Sequence, residues 1–513
     1  MQFDYIIRHG TIVDGTGREP FRADVGITGD RIAAVGSLDD AQAAQQIEAD
    51  GQIVSPGFID VHVHSEMSLL GGRDQLASVY QGVTTHLAAP DGFGWAPLSP
   101  QHASEMWQYT QFAHADTRPP LNWRTAEAYL GMFEGHIPAN IFPQVPHCAV
   151  RLNAMGWAAR PATDEELNAM VKTTHEWLEV GAVCLCLGLD YQPSVNADMR
   201  ELVALCKVAA SYGAIYAAHI RYQTLGRRAA WEETIELAKQ AEIPVHISHE
   251  RVDDEIAPIL ERIDREGVDL TFESYLYPAG MTHVIMMLPM EFQAGSPDDV
   301  LQNLRRSEVR AEALPHLREK LGQKGKQIIG YTRSGRYIGL TLAEAAADTG
   351  KSHEAFAFDL LLEEDGLETL IFPWLTTPEE NETILAQTAV HPRMMVASDG
   401  IYDIPHPHPR SYGCFAQVVR KFVRERKLLS LQEAIHKLSG FPAKRFGLKW
   451  RGQLAEGNAA DIVIFDFDTI ADRSTWAKPI QPAVGVNWAL VNGVPVLDSG
   501  RPTGKLPGRV LRA

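Results

Sequence analysis

The chain has 513 residues, of which 45% are hydrophobic and 22% are charged, a composition typical of a folded globular protein. Its formal net charge of -18 argues against a nucleic-acid-binding surface, because neutralising phosphates requires clustered Lys and Arg. The sequence shows neither a secretory signal at its start nor an apolar run that approaches the roughly 18 residues of a membrane span. Five cysteines in a chain of this length do not indicate a disulfide framework, so we expect a reducing, cytoplasmic location.

The two ends of the chain share a pattern of short β-like runs separated by Gly and Asp turns. Residues 1–55 contain DYIIRHGTIVDGTG and DVGITGDRIAAVG, and residues 453–513 contain ADIVIFDFD and WALVNGVPVLDSG. Asn-Gly between two apolar runs is a strong hairpin signal. We therefore predict that both ends combine in one small β-sandwich domain.

Residues 56–452 alternate short apolar runs with amphipathic helical stretches. The apolar runs include VTTHLAAP, AVCLCLGL, AIYAAHI, IPVHISH, DLTFESYLY and RMMVASD, and DEELNAMVKTTHEWLEVG is typical of the helical stretches. This alternation predicts an α/β fold with parallel strands, which we assign as a (β/α)8 TIM barrel. An open doubly wound sheet is the alternative, but no Gly-rich phosphate loop follows a strand. The charged, helical region around 280–350 is too long for a simple connection, so we predict an insertion there.

The apolar runs end in a set of polar side chains that suits a metal site. The set consists of His62, His64, Asp91, His219, His249 and Asp399. His62 and His64 are separated by one residue, so in a strand they point to the same face, about 7 Å apart. Taken alone, this pair is equally compatible with two structural histidines. A closed barrel, however, gathers all the strand ends at one mouth, where His nitrogens and Asp oxygens bind Zn²⁺.

Several longer motifs give the chain a family resemblance. These motifs are SPGFIDVHVH, QGVTTHLAAPDGF, AAHIRYQ, PVHISHER, YLYPAGMT, VASDG, HPHPRSYGCF and LVNGVPVLDSG. Together they resemble the amidohydrolase superfamily and, within it, the N-acyl-D-amino-acid deacylases (D-aminoacylases). The resemblance runs over nearly the whole length. It implies a distorted (β/α)8 barrel with a β domain built from both termini, in agreement with the alternation of strands and helices.

The resemblance assigns roles to the strand-end residues. It implies that His62 and His64 ligate one metal and that His219 and His249 ligate another. Asp399 corresponds to the aspartate that contacts metal and transfers protons. The family usually has a cysteine between the two sites, in a loop reading NCGF; here the loop reads PDGF, so Asp91 takes that place. The cofactor expected is Zn²⁺, one or two ions, with other divalent metals as alternatives because a carboxylate is a harder ligand than a thiolate.

The resemblance also implies substrate contacts. Arg410, in HPHPRSYG, matches an arginine that binds the substrate carboxylate, a group that suits the planar guanidinium fork. Arg251 stands where the family often has a lysine, and Tyr275 and Tyr191 match tyrosines near the substrate. The two tyrosines are equally compatible with core packing. The fourth-strand segment GAVCLCLGLDY lacks the metal-bridging lysine of the hydantoinases, which argues against that activity.

The expected activity is therefore hydrolysis of the amide bond of N-acyl amino acids, of D configuration. The expected partner is a small-molecule substrate, with no nucleic acid or membrane, and the oligomeric state is left open. Two alternatives stay open. The same metal chemistry can act on another small amide, such as an N-formyl or carbamoyl compound, because Asp91 and Arg251 depart from the family pattern. A catalytically inactive scaffold of the same fold is the other alternative.

Overall fold

A closed ring of eight parallel strands lies at the centre of the protein, in a computed structural model that describes residues 2–71, 75–114, 121–363, 367, 369–373 and 376–512. In chain order the barrel strands are Phe58–Asp60 with Val63–His64, Val83–Leu87, Asn140–Phe142 with Val145–Pro146, Cys184–Gly188, Ile215–His219, Val245–Ile247, Leu270–Ser274, and Met394–Val396 with Gly400–Ile401. These strands are almost entirely buried, which explains their continuous apolar sequences. The predicted (β/α)8 barrel is confirmed.

The ring closes between the eighth and the first strand. Gly400 pairs with Val63 in parallel register, and the backbone N–H of Asp399 donates to the carbonyl oxygen of His62 at 2.8 Å. Beside this pair, the backbone N–H of Ser398 donates to Oδ1 of Asp60 at 3.0 Å, so a side chain supplies part of the seam. Because the eighth strand also pairs with the seventh, the sheet has no free edge and the open-sheet alternative is wrong.

Helices follow most of the barrel strands and cover the outside of the barrel, whereas the helices between Pro297 and Glu363 belong to a separate segment. The α-helices are Glu66–Leu69, Pro100–Thr110, Ala126–Leu130, His147–Met155, Asp164–Glu179, Met199–Ser211, Arg227–Ala241, Ala257–Glu266, Pro297–Leu304, Ser307–Leu321, Leu342–Ala347, His353–Glu363, Pro378–Val390, Arg410–Gln417, Leu431–Ile435 and Phe441–Arg445. The helix Asp164–Glu179 begins with a capping box between Thr163 and Glu166, and buries Met170 and Trp177 on one face. Among the described residues, no helix is long and apolar enough to cross a membrane.

The two ends of the chain form one nine-stranded sheet. Its strands are Gln2–Ile12, Phe21–Thr28, Arg31–Gly36, Gln42–Glu48, Ile53–Pro56, Ile462–Phe465, Val486–Val491, Val494–Asp498 and Arg501–Pro502. The hairpin between Val486–Val491 and Val494–Asp498 turns at Asn492 and Gly493, both with positive φ, as the Asn-Gly signal predicts. Ile53–Pro56 pairs with Ile462–Phe465, which joins the N-terminal strands to the C-terminal ones.

A separately packed segment connects the seventh and eighth barrel strands. It contains the antiparallel strands Thr282–His283, Ile328–Tyr331 and Leu370–Phe372 together with the helices between Pro297 and Glu363. Its buried apolar side chains, among them Leu304, Leu317 and Phe358, form a cluster distinct from the barrel core. We call this segment the roof, because several of its residues cover the mouth of the barrel.

Candidate metal centre and active site

Six histidine and aspartate side chains converge at the carboxyl end of the barrel. They follow the first, second, fifth, sixth and eighth strands. They form three overlapping groups: His62 with His64 and Asp91; His62 with His249 and Asp399; and Asp91 with His219 and His249. Within each group the ligand atoms lie within 4.8 Å of one another. The structure thus brings together all the residues that the sequence predicted as ligands.

The distances within the cluster leave room for ions between the side chains. His64 Nε2 lies 3.6 Å from Asp91 Oδ2 and 3.4 Å from Asp399 Oδ1. His62 Nε2 lies 3.6 Å from Asp91 Oδ1 and 3.7 Å from Asp399 Oδ1. These separations are longer than hydrogen bonds. Asp91 belongs to two of the three groups, so its carboxylate faces both histidine pairs.

Two buried atoms of the cluster support a cation at its centre. His62 Nε2 and Asp91 Oδ1 are both buried, and neither has a hydrogen-bond partner among the described residues. An unpaired buried polar atom is costly unless a ligand satisfies it. Imidazole nitrogens and carboxylate oxygens are the donors that zinc accepts. The residues present therefore fit a zinc ion.

The ionised carboxylates of the cluster also favour binding of a cation between them. Burial raises the pKa of Asp91, but the adjacent His62 outweighs it and lowers the pKa to about 2. Burial likewise raises the pKa of Asp399, while Arg410 and His64 lower it to well below its usual value. Both carboxylates are therefore ionised near neutral pH, as metal ligation requires.

Three of the ligands adopt a backbone conformation that is rare for residues other than glycine. Asp91, His249 and Asp399 have φ values of 55°, 41° and 46°. Such left-handed residues cost free energy and concentrate at functional sites, where the surrounding structure holds them. Asp91 and His249 follow the second and sixth strands, and Asp399 lies between the two parts of the eighth strand. In each case the abrupt turn directs the side chain into the shared cluster.

Glycines make space for the Asp91 turn. A Cβ atom added at Gly188, the last residue of the fourth strand, would lie 2.6 Å from the carbonyl oxygen of Asp91 and 2.5 Å from Cδ2 of Tyr191. A Cβ at Gly92 would lie 2.6 Å from the carbonyl oxygen of Cys186. The turn therefore packs directly on the end of the fourth strand.

Two carboxylates that the sequence analysis did not single out contact the ligands. Glu273 Oε1 accepts a hydrogen bond from His62 Nδ1 at 3.0 Å, and Asp190 Oδ2 accepts one from His219 Nε2 at 3.0 Å. A signal for each is present in the sequence: Glu273 is a carboxylate inside the apolar run DLTFESYLY, and Asp190 ends the run AVCLCLGLD. Such outer carboxylates commonly orient metal-binding histidines.

A cavity of about 390 Å³ opens beside the metal ligands. Its lining includes all four residues predicted to bind substrate, Tyr191, Arg251, Tyr275 and Arg410. From the roof, His283, Met287 and Lys320 reach the same cavity. The volume suits a small molecule.

Arg410 is fully buried at the start of the helix Arg410–Gln417. Its Nη2 lies 2.7 Å from Asp399 Oδ2, and its guanidinium stacks on the Tyr275 ring at 4.4 Å. Nε and Nη1 have no hydrogen-bond partner among the described residues. The guanidinium of Arg410 is thus held by Asp399 and Tyr275, while its Nε and Nη1 groups stay available to bind a substrate.

Tyr191 and Arg251 lie on the other walls of the cavity. The ring of Tyr191 packs against His219, with 4.7 Å between ring centroids. Arg251 is half-buried, and its Nη1 has no hydrogen-bond partner among the described residues. Both side chains are therefore within the cavity and not in the barrel core.

A closed barrel with a ring of histidine and carboxylate ligands at its mouth defines a metal-dependent hydrolase of the amidohydrolase type. The family described as "Amidohydrolase family" matches residues 387–496. D-aminoacylase from Alcaligenes xylosoxydans xylosoxydans is 32% identical over 99% of this chain and 97% of its own length. N-acyl-D-glutamate deacylase from the same organism is 33% identical over 100% of this chain and 97% of its own length.

A solved structure shows the same fold. N-acyl-D-glutamate deacylase from Bordetella bronchiseptica, complexed with zinc and a phosphonate that mimics the tetrahedral intermediate, superposes with a TM-score of 0.84. It is 31% identical, and the match covers 100% of both chains. The protein belongs to the amidohydrolase family and, within it, to the N-acyl-D-amino-acid deacylases.

Proposed function

We propose that the protein hydrolyses the amide bond of N-acyl-D-amino acids and releases a carboxylate and the free amino acid. The observation that carries this proposal is the convergence of six ligands beside a cavity that also contains Arg410. The full-length relatives named above act on N-acyl-D-amino acids, which supports the D configuration. The substrate is a small molecule, as it is for those enzymes.

The zinc would be held by His62, His64, Asp91, His219, His249 and Asp399. When bound, zinc supplies Lewis acidity, which makes water a nucleophile at neutral pH and polarises a carbonyl group. Asp91 would contribute to both ligand sets, because its carboxylate belongs to two of the three groups.

Asp399 would be the proton carrier of the reaction. Its Oδ1 faces His64 Nε2 at 3.4 Å, while its Oδ2 faces Arg410 Nη2 at 2.7 Å. Its low pKa keeps it ionised, so it can accept the proton of the attacking water. The same carboxyl group then returns the proton to the leaving amine nitrogen.

The remaining cavity residues would bind and orient the substrate. The free donors of Arg410 and Arg251 suit the carboxylate of the amino acid, because guanidinium groups bind carboxylates in a planar fork. Tyr275, stacked against Arg410, would hold that group in place. Tyr191 packs against His219 and would lie over the scissile amide.

We further propose that the protein works in the cytoplasm, where thiols stay reduced. All five cysteines of the chain are free and buried. This arrangement suits a reducing compartment.

A substrate panel tests the proposed activity. The zinc-loaded enzyme would be assayed with N-acetyl-D- and N-acetyl-L-amino acids, and with N-formyl and carbamoyl amino acids as matched alternatives. We expect the highest kcat/KM with the N-acetyl-D compounds. A preference for formyl or carbamoyl compounds would favour the small-amide alternative, and no turnover by a zinc-loaded, folded protein would favour the inactive scaffold.

A further inference from the structure

We infer that Glu273 is a positioning residue of the metal centre, which holds ligands from two strands without itself belonging to any ligand group. The inference rests on the proposed metal centre but not on which amide is cleaved. Glu273 lies on the seventh strand, Leu270–Ser274, and is 1% exposed. Side chains alternate along a strand, so Leu270 and Phe272 face the outer helices while Thr271 and Glu273 face the barrel interior.

The carboxylate of Glu273 contacts three histidines: it accepts hydrogen bonds from two of them and forms an ion-pair contact with the third. Oε1 accepts from His62 Nδ1 at 3.0 Å and from the backbone N–H of His249 at 2.9 Å. Oε2 contacts His246 Nε2. The other ring nitrogen of His246, Nδ1, lies 2.8 Å from the hydroxyl oxygen of Thr271, so both ring nitrogens of this buried histidine face polar groups.

These contacts determine the tautomer of His62. Oε1 of Glu273 also accepts from the backbone N–H of His249, so this oxygen faces His62 as an acceptor and Nδ1 of His62 carries the proton. The lone pair of Nε2 then points to the space between Asp91 and Asp399, at 3.6 and 3.7 Å from their oxygens.

The second contact of Oε1 holds the backbone of His249. This residue has a φ of 41°, a conformation that persists only when neighbouring groups fix it. Its Nε2 lies 3.0 Å from Nδ1 of His219, so a rotation of its backbone would separate that pair. Glu273 therefore fixes a ring in one ligand group and a backbone in another.

Asp190 also holds a proposed ligand by a hydrogen bond, but it contacts only one of them. It accepts from His219 Nε2 at 3.0 Å and from the backbone N–H of Gln223 at 2.9 Å. Asp190 thus orients one ligand, whereas Glu273 links His62 of the first strand to His249 after the sixth. Loss of Glu273 should accordingly disturb two ligands at once.

The decisive variant is Glu273→Gln, which keeps the shape of the side chain and removes its charge. We expect its zinc dissociation constant, measured by competition with a chelator, to rise about tenfold, because outer-shell partners typically change metal affinity by 10- to 100-fold. The visible spectrum of the cobalt-substituted variant should change as well, since it reports ligand geometry. Glu273→Ala should show a larger loss if circular dichroism shows that it folds.

Glu201→Gln is the matched control. Glu201 is also fully buried and paired, with His147 and Arg151, but it contacts no proposed ligand among the described residues. A zinc dissociation constant at least threefold above that of this control supports the inference, and any smaller difference overturns it. If the unmodified protein itself bound no zinc, the metal centre of the proposed function would fail instead.

Discussion

Asp399 belongs to one of the candidate ligand groups and makes two further contacts. Its side chain forms an ion pair with Arg410, and its backbone N–H donates to the carbonyl oxygen of His62. Asp399→Asn keeps the shape and one oxygen that can contact metal, but it cannot accept a proton. We expect turnover to fall by about 10²-fold or more, the usual scale for loss of a general base. Zinc content and the thermal unfolding temperature, measured on the same sample, should stay near those of the unmodified enzyme.

Near-normal turnover of the zinc-loaded Asp399→Asn variant would assign proton transfer to another group. Loss of zinc along with turnover would show that the charge of Asp399 is needed mainly for ligation. The two measurements together therefore separate its two roles.

Arg410→Ala tests carboxylate recognition. If Arg410 binds the substrate carboxylate, its loss should cost about 2–4 kcal/mol of transition-state binding. The kcat/KM for an N-acetyl-D-amino acid should then fall sharply, while that for the corresponding amino acid amide, which lacks the carboxylate, should change little. An equal loss on both substrates would mean that Arg410 acts by holding Asp399, which lies 2.7 Å away.

At the residue scale, the sequence predicted which candidate ligands lie together, but not the carboxylates that contact them. His62, His64 and Asp399 were found because polar residues after apolar runs are conspicuous and barrel topology brings such positions together. Glu273 lies within a strand, where its direction and its three histidine partners depend on the closed barrel. The ion pair between Arg410 and Asp399 is likewise a three-dimensional contact that no spacing in the sequence reveals.

At the scale of elements, the end of the fourth strand supports the Asp91 turn. Gly188→Ala would place a Cβ atom 2.6 Å from the carbonyl oxygen of Asp91, so the turn must move. We expect lower zinc occupancy and lower turnover in a protein that stays folded, measured by elemental analysis and a steady-state assay. Gly131→Ala is the control: its Cβ would approach no atom closer than 3.3 Å, and it should behave like the unmodified enzyme.

The roof has a core of its own, which can be weakened without touching the metal ligands. Phe358 is fully buried in that core, and its loss in Phe358→Ala should cost about 3–5 kcal/mol of local stability. Because Met287 and Lys320 reach the cavity from the roof, we expect KM to rise while zinc content stays normal. Loss of zinc in step with the rise in KM would show that roof and barrel form one cooperative unit.

The elements themselves were predicted to different extents. The helix Asp164–Glu179 follows from the amphipathic pattern of DEELNAMVKTTHEWLEVG. The region around 280–350 was predicted as helical and charged, but the strands Thr282–His283, Ile328–Tyr331 and Leu370–Phe372 that bind it together were not. They are short and pair across long stretches of chain, so local patterns carry little information about them.

At the scale of the whole molecule, zinc should stabilise the fold, because the proposed ligands come from distant parts of the chain. A ligand that binds only the folded state adds about 4 kcal/mol to the free energy of unfolding at a thousandfold excess over its Kd. We therefore expect a chelator to lower the midpoint of thermal unfolding and added zinc to restore it, as followed by differential scanning calorimetry. An identical midpoint with and without zinc would contradict a centre that links several strands.

The seam between the eighth and first strands carries a consequence for how the protein loses activity. Asp399, the proposed proton carrier, lies on one side of this joint, and the proposed ligands His62 and His64 lie on the other. The backbone of Asp399 and Gly400 and the side chain of Asp60 hold the joint closed. An ion bound by Asp399 and the two histidines would hold the eighth and first strands together. Mild heating, ageing or a destabilising substitution would then open the barrel first between the eighth and first strands, beside Asp399. Activity would be lost while most backbone amides were still protected from exchange with solvent.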